Sequence, residues 1–195
     1  MFPISKLVRW CNLILVFTFA GCISNLNGFK LSVTDTLQLE QFHYPTGWNY
    51  GGVSKEEGWG TPNAFLTSFT RNLHNKQFVS NYYFLAYATR SDAEKAFDDY
   101  KDASFYVGVN SDIIWHQDSR IFVDVQNADE YMIQCAQIQG ERKCVFWGHY
   151  GSCIILFQAP LDEGVLLDNE YTQILETHID SQMLFVEDCY SATAE

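Results

Sequence analysis

Hydrophobic residues recur along this chain mainly with the spacing of strands. Alternating or dense apolar runs predict strands at residues 37–44, 64–71, 77–88, 113–116, 121–125, 131–138, 143–148 and 152–158. The last three runs are separated by short turn-forming stretches and therefore predict an antiparallel meander. Residues 47–60 hold five glycines among aromatic side chains without a regular period, which predicts a long loop.

Two segments carry the helical period instead. The first predicts a helix over residues 92–103, with Ser91 as its N-cap and Glu94 completing a capping box. Its apolar positions share one face: Ala93, Ala96, Phe97 and Tyr100. The second predicts a helix over residues 168–183, capped by Asp168. Its predicted inward positions are Tyr171, Ile174, Leu175, Ile179 and Met183.

These elements predict an α+β fold, a mostly antiparallel sheet with two main helices packed on one face. Short hairpins and the lack of a regular strand-helix-strand alternation favour this class. If the second helix is short, the alternative is a mainly β protein. The length predicts a single domain over residues 37–190, followed by a tail at 191–195.

The first 22 residues have the pattern of an export signal. Lys6 and Arg9 make the start basic, residues 13–20 are mostly apolar, and Ala20 and Gly21 lead directly into Cys22. This pattern resembles the leader of bacterial lipoprotein precursors, whose cysteine carries the lipid after cleavage.

The resemblance implies a signal peptide over residues 1–21, a lipid anchor with palmitate-type acyl chains on Cys22, and a polar tether over residues 22–36. Two or three acyl chains are enough for stable anchoring, so the protein is expected at the exported face of the cell membrane. Cleavage after Ala20 would instead release a secreted protein. An uncleaved anchor over residues 7–23 is the third alternative, although polar residues interrupt that stretch.

Residues 44–48, Tyr-Pro-Thr-Gly-Trp, resemble the opening of PsbP-like α+β domains, where an extended segment runs into a Pro-Gly turn and an aromatic residue. The resemblance covers these five residues. It implies an α+β domain of that kind and adds no site residue.

The charge balance limits the partners. The chain has 24 acidic and 12 basic residues, a formal net charge of −12. The clustered Lys and Arg that bind phosphates are absent, so nucleic acid is excluded as a partner. Anionic lipid headgroups would repel the domain, so the predicted membrane contact is the anchor on Cys22. An envelope protein or a small ligand remains as a partner.

Four cysteines of the predicted domain form an even set expected in an exported protein: Cys135, Cys144, Cys153 and Cys189. A two-residue turn at residues 139–140 would place Cys135 opposite Cys144 at a non-hydrogen-bonded position, with Cα atoms about 4.5 Å apart. Cys153 would then pair with Cys189. A longer loop would separate the first pair, and a thiol-redox role for Cys135 and Cys144 is a further hypothesis.

Aromatic side chains of the predicted loop at residues 44–59 are the candidate ligand contacts: Tyr44, Trp48, Tyr50 and Trp59. Indole and phenol rings stack on sugars, bases or quinones, and glycines allow close backbone approach. The competing interpretation is that the loop covers an apolar edge of the sheet.

No catalytic signature, metal motif or cofactor motif occurs in the sequence. The pattern therefore favours a noncatalytic binding or scaffolding domain at the outer face of the membrane. The alternative is an envelope hydrolase whose site lies near residues 44–59, with His149 or His43 as the general base and an unidentified nucleophile.

Overall fold

The structure is a computed structural model that describes residues 44–102, 113–184, 186 and 189. The described strands form a six-stranded antiparallel sheet. The strand order is β1-β2-β3-β6-β5-β4. The strands are β1 (Asn49–Glu56), β2 (Asn63–Leu73), β3 (Lys76–Ala86), β4 (Glu130–Ile138), β5 (Glu141–Tyr150) and β6 (Cys153–Pro160). The predicted meander of the last three strands is confirmed.

Two-residue turns set the register of the hairpins. Gln139 and Gly140, with φ of 54° and 82°, join β4 to β5, and Ile138 pairs with Glu141. Positive φ at both central residues defines a type I′ turn, whose twist suits an antiparallel hairpin. The predicted two-residue turn is therefore confirmed, and with it the pairing of Cys135 with Cys144.

The first helix, α1 (Arg90–Asp102), confirms the predicted helix but begins earlier. Its cap is Thr89, whose hydroxyl accepts a hydrogen bond from the Asp92 amide at 3.1 Å and donates one to the Asp92 carboxylate at 2.8 Å. Ser91 is thus already inside the helix, and the predicted capping by Ser91 and Glu94 is wrong. A Thr with an acidic residue three positions later satisfies the same capping pattern.

The C-terminal helix, residues 168–183, has three parts. It begins as α2 (Asp168–Gln173), continues as a π-helix (Ile174–Asp180) and ends as α3 (Ser181–Met183). The cap position belongs to Leu167, whose amide donates to the Glu170 carboxylate at 2.8 Å, so Asp168 is not the cap. All of its predicted inward residues are buried: Tyr171, Ile174, Leu175, Ile179 and Met183.

The two helices pack against two different hydrophobic clusters of the sheet. The α1 cluster includes Leu85, Ala93, Phe97, Val145, Trp147, Ile154 and Leu156. The cluster under the C-terminal helix includes Phe69, Tyr82, Phe84, Phe146, Ile155, Phe157 and Tyr171. Because neighbouring strand residues point to opposite sides, Ile154 and Ile155 place the two clusters on opposite faces. The predicted packing of both helices on one face is therefore not confirmed.

Three other predictions differ from the structure. The region predicted as a loop contains β1, whose register shifts between Tyr50 and Val53, so two glycines in a bulge disguise a strand. Residues 113–116 and 121–125 are not strands, and only His116 forms an isolated bridge, with Cys135. The predicted strand at 37–44 lies outside the described residues except for Tyr44.

Since the regular α-helical part of the second helix is short, the alternative of a mainly β protein also fits.

Candidate functional site

The four aromatic candidates do not form one site. Tyr44 stacks on Phe69 with ring centroids 4.0 Å apart, and Trp48 meets Tyr44 edge-on at 5.2 Å. Tyr50 lies 5.9 Å from the same Phe69 ring. These three residues belong to the face covered by the C-terminal helix, whereas Trp59 packs on the α1 face.

Tyr44 has the contacts of a core residue. Its hydroxyl donates to Ser80, and burial raises the pKa of the phenol above its ordinary range. The Trp48 indole nitrogen is buried with no hydrogen-bond partner among the described residues. For Tyr44 and Trp48, the structure favours the interpretation that this segment covers an apolar face of the sheet.

Trp59 lines a cavity of about 510 Å³ between residues 58–62 and α1. Its ring packs 5.0 Å from Tyr83, and its backbone carbonyl accepts hydrogen bonds from Tyr87 at 3.0 Å and Tyr100 at 3.2 Å. The two phenol oxygens are 3.1 Å apart. These bonds fix the segment against the helix, so the cavity is preformed. We call it the aromatic cavity.

The aromatic cavity has two chemically different walls. The side chains of Trp59, Tyr87 and Tyr100 are aromatic, and we call them the aromatic wall; the α1 side chains of Asp92, Lys95 and Asp99 are charged, and we call them the charged wall. Burial raises the pKa of Tyr100, the hydrogen bond with Tyr87 lowers it, and the carboxylate of Asp99, the preceding residue, raises it. Both kinds of side chain thus reach one space.

Gly58 and Gly60 lie in the same lining and have φ of 89° and 70°. A side chain would be strained at either position because this backbone conformation suits glycine. A Cβ atom there would meet nothing within 4 Å. The two glycines therefore leave the space on either side of Trp59 open.

A serine, a histidine and an aspartate, the residue types of a hydrolase triad, meet at the β5-β6 turn. The His149 ring nitrogen Nε2 lies 2.8 Å from the Gly151 carbonyl, and its Nδ1 lies 4.0 Å from Asp129. The Ser152 hydroxyl donates to the Cys189 carbonyl at 3.2 Å. Ser152 and His149 are 1% and 4% exposed.

These bonds do not form a catalytic triad. A nucleophile and its base must share a hydrogen bond, and substrate must reach the nucleophile. Here Nε2 bonds to a backbone carbonyl, the hydroxyl bonds to another, and both groups are buried. Asp129 meanwhile accepts the Gly151 amide at 2.7 Å and binds Arg90 at 2.8 Å. Ser152, His149 and Asp129 therefore hold the β5-β6 turn closed. These contacts do not support His149 as the predicted general base. His43, the other predicted base, lies outside the described residues.

Asp180 is a buried carboxylate that sequence reasoning missed. It is 3% exposed and accepts hydrogen bonds from the amides of Gln126 and Asn127, from the Asn127 side chain and from the Tyr150 hydroxyl. The only signal in the sequence is that Asp180 follows Ile179 on the inward stripe of the helix. Its partners lie far away in the chain, so spacing alone could not identify them.

An ion-pair network joins β5 to two neighbouring segments. Arg142 contacts Asp168 at 2.5 Å and Asp118 at 3.2 Å, and Arg120 contacts Asp118 at 2.6 Å. The hydrogen bond from Arg120, with further contributions from Arg142, holds the pKa of the Asp118 carboxyl well below its usual range. A cavity of about 590 Å³ lies beside these residues. Because each charge already has a partner of opposite sign, the network fastens the fold.

The two predicted disulfides are confirmed. Cys135 forms a disulfide with Cys144, and their Cα atoms are 4.1 Å apart. Cys153 forms a disulfide with Cys189, and their Cα atoms are 5.2 Å apart. The backbone amide and carbonyl of Cys135 form hydrogen bonds with His116, on the side of β4 that faces away from β5. This is expected if Cys135 and Cys144 form a non-hydrogen-bonded pair. All four cysteines are fully buried, which removes support for a thiol-redox role. Cys22 lies outside the described residues.

Comparison with known proteins gives no relative: no protein-family model, no curated protein and no solved structure matches this chain. Within residues 44–102 and 113–184, no helix has the length and apolar character needed to cross a membrane. The same residues contain no group of three or more His, Cys, Asp or Glu side chains arranged for a metal ion. The aromatic cavity is the candidate site because it contains Trp59, one of the predicted ligand contacts.

Proposed function

We propose that this chain is an exported, lipid-anchored protein whose domain binds a ligand or partner at the outer face of the membrane and carries out no catalysis. The anchor is Cys22, exposed by removal of the leader over residues 1–21. Residues 22–36 form the tether. The PsbP-like character of the domain stays a prediction beside this proposal.

Two buried disulfides carry the proposal. Disulfides form and persist in exported proteins and are rare in reducing cytosol. One closes the β4-β5 hairpin, and the other ties residue 189 to the start of β6. This supports the same compartment as the leader, although the two features lie in separate parts of the chain.

The noncatalytic part of the proposal is supported by how the polar side chains are used. Asp180, His149 and Ser152 bond to backbone or to buried partners, as described above. The aromatic cavity combines ring faces with exposed charges but has no serine, cysteine or histidine in its lining. Such a lining suits binding and orientation of a ligand.

The first test is the intact mass of the mature N-terminal peptide, isolated from the membrane fraction of a bacterial host that expresses the full chain. We expect an N-terminus at Cys22 with the mass of two or three acyl chains. The matched control Cys22→Ala should carry no acyl mass and should lose lipid-dependent membrane attachment.

Two results would overturn the anchor. An unmodified N-terminus at Gly21 in the soluble exported fraction would make the protein secreted. An uncleaved leader in the membrane fraction would make residues 7–23 the anchor. A cytosolic product with reduced cysteines would overturn export itself.

A further inference from the structure

We propose that the aromatic cavity binds a glycan through one pyranose ring. This inference rests on the proposed function, since it names the ligand class of a domain that acts by binding. The ring would lie against Trp59, with its hydroxyl groups directed at the charged side chains of α1.

The aromatic wall suits the apolar side of a sugar. A pyranose ring presents C–H groups on one side, and aromatic faces with electron-rich π systems attract such groups. Trp59 is only partly buried, and both phenol hydroxyls bond to its carbonyl, so the wall is held in place before any ligand arrives. Preorganisation of this kind lowers the entropic cost of binding.

The charged wall suits the hydroxyl rim. Asp92, Lys95 and Asp99 follow each other at intervals of three and four residues, so they lie along one side of α1. Carboxylates accept hydrogen bonds and the ammonium group donates them, whereas each sugar hydroxyl does both. Lys95 and Asp99 have no ion-pair partner within the described part of the chain, and both are exposed.

Other ligand classes fit this lining less well. Asp92 and Asp99 would repel a phosphate or a nucleotide, and Lys95 between them opposes an isolated cation. A flat base or quinone would stack on Trp59 but would bring few hydroxyl groups to Asp92, Lys95 and Asp99. A neutral ligand with many hydroxyl groups satisfies both walls, and the volume of about 510 Å³ is in the range of small-ligand sites.

The test is saturation-transfer difference NMR on the full-length mature protein, purified from membranes in a detergent without a sugar headgroup. The probes are the β-1,4-linked tetramer of N-acetylglucosamine, cellotetraose and maltotetraose, with benzoquinone and choline as the two competing chemistries. We expect at least one glycan to give transfer, strongest at the C–H protons of one ring face.

Matched variants locate the binding. Trp59→Phe should weaken binding about 3- to 10-fold, the range of one aromatic stacking contact. Trp48→Phe makes the same change on the opposite face and should leave binding unchanged. Asp99→Asn should weaken binding by removing a charged acceptor, and circular dichroism should show all three variants folded.

The outcomes separate this inference from the proposed function. Absence of transfer from every glycan, transfer only from benzoquinone or choline, or equal losses in Trp59→Phe and Trp48→Phe would overturn the glycan site. None of these results affects an acyl mass on Cys22, which tests the anchor by itself. Conversely, glycan binding by a protein without acyl mass would keep the site and overturn the anchor.

Discussion

Helices cover both faces of the sheet, but the two faces use their polar groups differently. Under the C-terminal helix, the Asp180 carboxylate is buried and binds backbone amides, and Asp168 is paired with Arg142. On the α1 face, Arg90 is paired with Asp129, but Lys95 and Asp99 remain exposed beside half-buried rings. A polar group whose hydrogen bonds are satisfied inside the fold adds stability and specificity of structure, whereas an available one can bind a ligand.

Loss of the Cys153–Cys189 disulfide gives the largest expected effect on stability. Cys153→Ala with Cys189→Ala opens a link with a sequence separation of 36 residues, and we expect a loss of about 4 kcal/mol in the free energy of unfolding. Removal of Cys135–Cys144, with a separation of 9, should cost about 2.5 kcal/mol. Urea denaturation of both double variants measures the difference.

Equal losses in the two double variants would contradict the dependence on loop length. The second pair is the appropriate control because both disulfides are buried and both variants remove two sulfur atoms. The comparison also tests whether the last described residues help to hold the face under the C-terminal helix.

The buried carboxylate on that face ranks next. Asp180→Ala leaves the amides of Gln126 and Asn127 without their acceptor, and we expect a loss of about 3 kcal/mol. Asp180→Asn keeps one acceptor oxygen and should lose less. Denaturation curves at neutral pH provide both values, and a loss below about 0.5 kcal/mol for the alanine variant would show that Asp180 does not fasten this segment.

These buried contacts mark the limit of sequence reasoning. The hairpin register and the pairing of Cys135 with Cys144 were predictable because a two-residue turn imposes a pairing on every following residue. The partners of Asp180 were not, since they are separated from it by 30 to 54 residues in the chain. The spacing of residues in the sequence indicates which side chains are neighbours on one helix or strand. It indicates little about which helices and strands come into contact.

The placement of the helices and the aromatic candidates shows the same limit. The run Cys153–Pro160 is almost continuously apolar, which is typical of a strand buried on both faces. Periodicity of the two helices identified their inward sides but not the sheet face that each one covers. Trp59 lines a cavity, and its role as a ligand contact stays a prediction. Its separation from Tyr44 and Trp48 depends on the intervening strand β1, which the bulge at residues 51–52 concealed.

The pH dependence of stability should distinguish the ion-pair network from the charges of the aromatic cavity. The pKa of Asp118 is lowered in the folded protein relative to its ordinary value of 3.8. Its contribution to stability is therefore complete above about pH 4 and is lost as the pH falls towards the lower, folded-state value. Asp118→Asn should flatten the fall of unfolding free energy between about pH 4 and pH 2.

Urea denaturation across that pH range checks this prediction, with Asp99→Asn as the control on the opposite face. An identical slope for Asp118→Asn and the unchanged protein would contradict a role for this carboxylate in acid unfolding. The control replaces an exposed carboxylate that forms no ion pair in the described structure, so its slope should remain close to that of the unchanged protein.

The smallest expected effect tests the other half of the contrast. If Lys95 and Asp99 are available for a ligand, the fold does not depend on them, and Lys95→Met with Asp99→Asn should change the free energy of unfolding by less than about 0.5 kcal/mol. A loss near that of Asp180→Asn would mean that both faces use their charges structurally. A small change in the free energy of unfolding together with weaker glycan binding would instead show that these charges serve recognition and not stability. The two substitutions would then leave the fold intact while they remove a hydrogen-bond donor and a charged acceptor from the aromatic cavity.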